Sequence, residues 1–157
     1  MTFFTKIFSF WMTFIFIHNS HAQNFKDIYF IDSKIMFINK NHDVASGYLK
    51  IENIGDEDLT LLSISSDFSN QIEIHKMKIE NNVMKMLKLN DEITISRKNH
   101  ITFKQGGMHI MFLNIKKELK IGEKREVYFN FKKVGKLKVL MKVHSLHKKT
   151  SSKHHKH

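Results

Sequence analysis

The chain has no cysteine and no proline, and its only arginines are Arg97 and Arg125. Without cysteine there is no disulfide framework, so the fold must hold by packing alone. The same absence excludes thiol reductase chemistry and the Cys thiolate on which a blue-copper electron-transfer centre depends. The missing proline, set beside an excess of Lys, Ile, Asn and Phe, reads as compositional bias of a genome rather than as a binding footprint. The formal net charge of +11 raises the question of nucleic acid. The positive side chains, however, are mostly lysines spread along the chain with no basic–aromatic repeat, so nucleic acid is not expected as a partner. A G-x-S-x-G nucleophile elbow is also missing, which removes the usual sign of a serine hydrolase; no enzymatic activity is expected.

What is present begins with an export signal. Met1–Lys6 is a short n-region with one positive side chain, and Ile7–Ile17 is an apolar run of eleven residues. Ser20 and Ala22 supply the small residues read by a signal peptidase. Residues 1–22 are therefore expected to be a signal peptide cut after Ala22, with an uncleaved signal anchor as the alternative. The run falls short of the roughly 20 residues a membrane span needs, so no stable span is expected after cleavage. No cysteine follows it, which excludes lipid attachment there. The expected location is the periplasm.

Residues 23–143 alternate short β-rich runs with polar or glycine breaks, and no long 3.6-period apolar stripe interrupts them. Strands are expected over 28–38, 45–53, 59–65, 71–78, 83–89, 93–96, 101–104, 109–115, 126–131 and 136–143. Such spacing argues for one all-β domain, an antiparallel sandwich or barrel. Residues 23–26 are expected to be a flexible start of the mature chain. Residues 144–157 (HSLHKKTSSKHHKH) are expected to be a disordered His/Lys-rich tail.

Four side chains stand out within this pattern: His75, Met86, His109 and Met111. Thioether sulfur is neutral and soft, and together with imidazole it favours Cu(I) over Zn(II), Mg(II) or Ca(II). Asn81-Asn82 is suited to a tight hairpin turn. A two-residue loop there pairs Met77 with Met86 and sets His75 diagonally from Met86 on one face. Alternation in His109-Ile110-Met111 sends His109 and Met111 to a common face. Met84 shares the strand face of Met86 and competes for its role, and Met77 is a possible auxiliary ligand. Met108 is expected to point away from His109.

Ten residues separate His75 from Met86, and 22 separate Met86 from the His-x-Met triplet. This pattern resembles the motif of the periplasmic copper chaperones called PCu(A)C. The resemblance runs from about Ala45 to Val143. It takes in GYLKIENIGDEDLTLL from Gly47, IEIH ending at His75, VMKM ending at Met86, GGMHIM from Gly106, and Phe129-Asn130-Phe131 followed by Gly135. The second gap is one residue longer than the family pattern, and Gln105 stands where proline is common. The resemblance implies a cupredoxin-like Greek-key β-sandwich holding one Cu(I) through His75, Met86, His109 and Met111. It also implies delivery of copper toward cytochrome c oxidase copper-site assembly. The receiving partner would then be an oxidase subunit or a thiol-bearing copper assembly factor.

The tail adds His144, His147, His154, His155 and His157. An imidazole-only cluster suits Cu(II), Ni(II) or Zn(II) rather than Cu(I), so the tail is expected to capture Cu(II), or else to be a solvated basic segment. Two other readings of the whole chain stay open: a copper buffering or resistance protein, and a sandwich-fold interaction module that binds no metal.

Overall fold

A computed structural model describes residues 23–37, 43–80 and 83–145. The signal segment, the Asn39–Asn41 break, the Asn81-Asn82 turn and His147, His154, His155 and His157 lie outside the described residues. The strands are β1 (Gln23–Phe25), β2 (Ile28–Phe37), β3 (Val44–Asn53), β4 (Leu59–Ser66), β5 (Ser69–Glu80) and β6 (Val83–Leu89). They continue as β7 (Ile93–Ile95), β8 (Asn99–Phe103), β9 (His109–Ile115), β10 (Lys124–Phe131) and β11 (Gly135–Ser145). Among the described residues no helix is long and apolar enough to cross a membrane.

Hydrogen-bonded neighbours run β6-β5-β9-β3-β2-β11-β10-β4-β7, with β1 on β2 and β8 on β3. The sheet is open and folds over itself as a sandwich, because alternating apolar residues need a common interior. Phe30, Ile35 and Phe37 of β2, Leu49 and Ile51 of β3, Ile110 and Phe112 of β9, and Val127, Phe129 and Phe131 of β10 all enter one core. Its aromatic contacts include Phe30–Phe129 at 5.1 Å and Phe68–Phe112 at 5.0 Å between ring centroids, spacings at which tilted rings attract.

Two sequence expectations change here. Gln23–Phe25 is a strand paired with Ile28–Phe30, not a free start, since β2 offers it an open edge. At the other end β11 runs on through His144 and Ser145, beyond the boundary at Val143, because it pairs in parallel with Lys34–Phe37 of β2. That ladder departs from the all-antiparallel expectation, and it moves His144 from the tail into the folded domain.

β2 also contains a register shift between Ile31 and Lys34, where Asp32 takes a positive φ of 54°. A bulge adds residues to one strand and so changes which face its side chains meet. Before it, the even positions Ile28 and Phe30 point inward; after it, Ile35 and Phe37 do. Lys34 and Met36 consequently face away from the core. On β3, Gly47 lies opposite Ile110, and a Cβ there would stand 2.8 Å from the Phe112 ring. A side chain at this position would push β9 outward.

Candidate metal centre

β9 supplies the middle of the site. Ile110 and Phe112 are fully buried in the core, so His109 and Met111 project from the opposite face by strand alternation. β5 lies beside it with His75 opposite His109 and Glu73 opposite Met111. The His75 and His109 rings stand 5.9 Å apart, edge to face. On the far side of β5, Met77 opposes Met86 and His75 opposes Lys88. Met86 therefore sits on the diagonal from His75, as the hairpin argument required, and Met111 sits on the opposite diagonal. Met84 is opposite Ile79, one further strand repeat from His75, roughly 7 Å along the strand. Met108 packs against the hydrophobic core.

The hydrogen bonds fix where each imidazole presents a lone pair. His109 Nδ1 lies 3.0 Å from the Gly107 carbonyl. A carbonyl only accepts, so Nδ1 carries the proton and the neutral ring presents Nε2 as its lone pair. The preceding turn sets that carbonyl in place: the Gly107 amide donates to Lys104 O at 3.2 Å and the Lys104 amide to Met108 O at 2.6 Å. Gly106 has φ of 72° at the third turn position, the conformation a type II turn demands of glycine.

His75 is oriented by Glu73. The His75 Nε2–H donates to Glu73 Oε2 at 2.7 Å. The Lys88 ammonium, 2.7 Å from the other carboxylate oxygen, is the main reason the Glu73 carboxyl is held down to about 2, followed by His75 and then Gln71. An ionised carboxylate accepts only, so the neutral His75 ring presents its lone pair at Nδ1. That atom is buried and has no partner. An orphaned buried acceptor is costly, and a bound cation would satisfy it. Met111 receives the Ser46 hydroxyl hydrogen at 3.5 Å on its sulfur.

Sequence reasoning missed Glu73, Ser46 and the Gly107 carbonyl. Two-residue alternation from His75 marks Glu73 as a same-face neighbour, whereas Ser46 becomes a neighbour of Met111 only through the β3–β9 ladder. Among the described residues no group of three or more His, Cys, Asp or Glu side chains is gathered to hold a metal ion. On this face the two imidazoles are flanked by Met111 on one diagonal and Met86 on the other. His144 lies apart, in β11 opposite Met36 of β2; partial burial first, then Lys142 and Lys34, lower its pKa below 6.5.

Fold and site together define a class: a cupredoxin-like β-sandwich with a His/Met cluster on the outer face of its sheet. The sequence profile of the family described as "Putative lipoprotein LpqE-like" matches residues 17–143. The chain belongs to the LpqE-like family. A curated relative, "Uncharacterized protein RP573" of Rickettsia prowazekii (strain Madrid E), is 33% identical over 84 residues, 54% of this chain. The match spans 46% of that relative's length, less than half of it. Among solved structures, the "Copper-bound PCuAC domain from PmoF2" is similar with a TM-score of 0.66 and 18% identity, covering 80% of this chain and 98% of that one. "Apo PCuAC domain from PmoF1" gives 0.66 and 20%, covering 80% and 99%. Apo-DR1885 of Deinococcus radiodurans gives 0.60 and 14%, covering 92% and 97%. Identities this low establish the shared fold.

Proposed function

We propose that this chain is an exported copper carrier that binds one Cu(I) at His75, His109, Met111 and Met86 and passes it to a partner. The observation that carries the reading is the buried, unpartnered His75 Nδ1, in a ring 5.9 Å from a second imidazole whose own proton is committed to a backbone carbonyl. Two lone pairs and two thioethers suit a soft monovalent ion and disfavour hard cations. The copper-bound PCuAC domain from PmoF2 and CuI-DR1885 share the fold, which supports the same use of this sheet face. Neutral thioethers bind the ion without burying a thiolate charge, so it stays exchangeable. The site acts on copper as cargo and performs no chemistry on it. The proposed compartment is the periplasm. The proposed recipient is a thiol-bearing assembly factor or subunit of cytochrome c oxidase, since thiolate outcompetes thioether for Cu(I).

Anaerobic Cu(I) titration followed by X-ray absorption tests the reading. One equivalent with both Cu–N and Cu–S scattering at this site is expected, reduced in His75→Ala. A spectrum without sulfur scattering would refute it. Transfer of the loaded copper to a dithiol acceptor separates a carrier from a buffer that keeps its metal.

A further inference from the structure

The face that carries the candidate centre does not end at β3. Ser46, which donates to the Met111 sulfur, is opposite Met36 of β2, and Met36 is opposite His144 of β11. One row therefore reads Met111, Ser46, Met36, His144 across four adjacent strands. Side chains directly opposed on neighbouring strands share a face and lie within contact reach. We propose that Met36 and His144 form a second Cu(I) site on this face, one strand beyond Ser46 from Met111.

Three observations carry the proposal. Met36 is only half-buried and is not a member of the buried core, so the common use of a strand methionine as fully buried core filler does not account for it. Its outward position exists because of the Asp32 bulge; uninterrupted alternation from Ile28 and Phe30 would have turned Met36 inward. The parallel ladder then sets an imidazole directly beside the thioether, the same soft and borderline pair found at the main centre. Lys34 and Lys142 oppose one another on the same face, two residues away. Their charges repel a divalent ion about twice as strongly as a monovalent one, so the pair discriminates toward Cu(I). Neighbouring strands are about 4.8 Å apart, which sets Met36 roughly 10 Å from Met111.

The inference builds on the copper reading but uses different residues, and its test keeps the two apart. The full chain is prepared with His147, His154, His155 and His157 replaced by Ala and with carbon-13 in the methionine methyl groups. Anaerobic Cu(I) addition is expected to bind two equivalents and to shift both the Met111 and the Met36 methyl resonances. In a His75→Ala/His109→Ala background the Met36 shift persists and one equivalent remains. Met36→Leu, a volume-conserving change at a position outside the buried core, removes that equivalent and leaves the urea midpoint little changed. A Met36 methyl unmoved at two equivalents overturns the proposal, as does unchanged stoichiometry in Met36→Leu. A Met36 shift without any Met111 shift would instead leave the second site standing and sink the main-centre reading.

Discussion

His109 is 7% exposed and Met86 is 50% exposed, although both belong to the ligand set proposed for one ion. The contrast divides the centre between two regions of the molecule. On the sandwich body, β9 is clamped by Ile110 and Phe112 in the core, and its outer residues are held by the Gly107 carbonyl and Ser46. The outer half of the β5–β6 hairpin has no such anchorage. β6 ends the sheet, and Ile79, Val83, Met84, Met86 and Leu87 are all exposed. Packed side chains hold a fixed geometry, whereas an exposed methionine with three rotatable bonds adapts. In the proposed centre the body would present pre-set donors, and the hairpin would contribute a thioether free to adapt its position to the ion. A carrier needs both, because an ion held wholly by rigid ligands leaves slowly.

The largest break in this contrast comes from the body's inner face. Phe112→Ala should cost about 3–5 kcal/mol, a large part of the 5–15 kcal/mol that ordinary domains possess. Ile79→Ala on the exposed hairpin should stay within about 0.5 kcal/mol. Urea unfolding measures both, and equal costs would dissolve the distinction.

Next in size is metal affinity. His109→Ala should remove the main-centre equivalent of Cu(I), read in competition with a chromogenic chelator and as loss of the Met111 methyl shift. Met86→Leu should retain the main-centre equivalent with weaker affinity and faster transfer to a dithiol. Should Met86→Leu lose binding as completely as His109→Ala, the hairpin would be an equal partner rather than a movable one.

Glu73→Gln keeps the shape but removes the charge that orients His75. Outer partners of metal-bound histidines typically contribute 10–100-fold to affinity, and a loss of about that size is expected at neutral pH with the unfolding midpoint little changed. An unaltered dissociation constant would show that the His75–Glu73 contact is only structural.

The smallest effect lies away from both regions. On β10, the Tyr128 hydroxyl first and the Lys138 ammonium second lower the Glu126 pKa below 4.5. A depressed carboxylate contributes stability that is complete above its unfolded pKa and is lost as pH falls through the folded value. Acidification below about 4.5 should therefore destabilise the chain, and less so in Glu126→Gln. Parallel midpoint-versus-pH curves for the two would remove this pair from the account.

Much of the sheet was legible in the residues. Period-2 runs located β2 through β11 to within a few residues, because each strand must turn one apolar face inward. The Met77–Met86 opposition followed from a two-residue hairpin connection, which fixes register locally. β1 was not legible: Gln23–Phe25 becomes a strand only where β2 offers an open edge. His144 was assigned to a polar tail because His144-Ser145 has no apolar pattern of its own; its partner, Met36, is more than a hundred positions earlier. Glu73 was within reach of alternation, yet its hold on His75 depends on Lys88, delivered by the hairpin.

By itself the sequence determined the chemistry on offer: imidazole and thioether without thiolate, and His109 and Met111 on one strand face. Those follow from side-chain type and from an alternation that every extended strand obeys. Tertiary structure decided which donors meet. Ladders between distant strands set His75 beside His109 and Ser46 beside Met111, and left Met86 exposed on the outer half of the hairpin. The bulge at Asp32 turned Met36 outward toward His144. Pairing partners far apart in the chain are selected by burial of the whole core, and no local pattern carries that information.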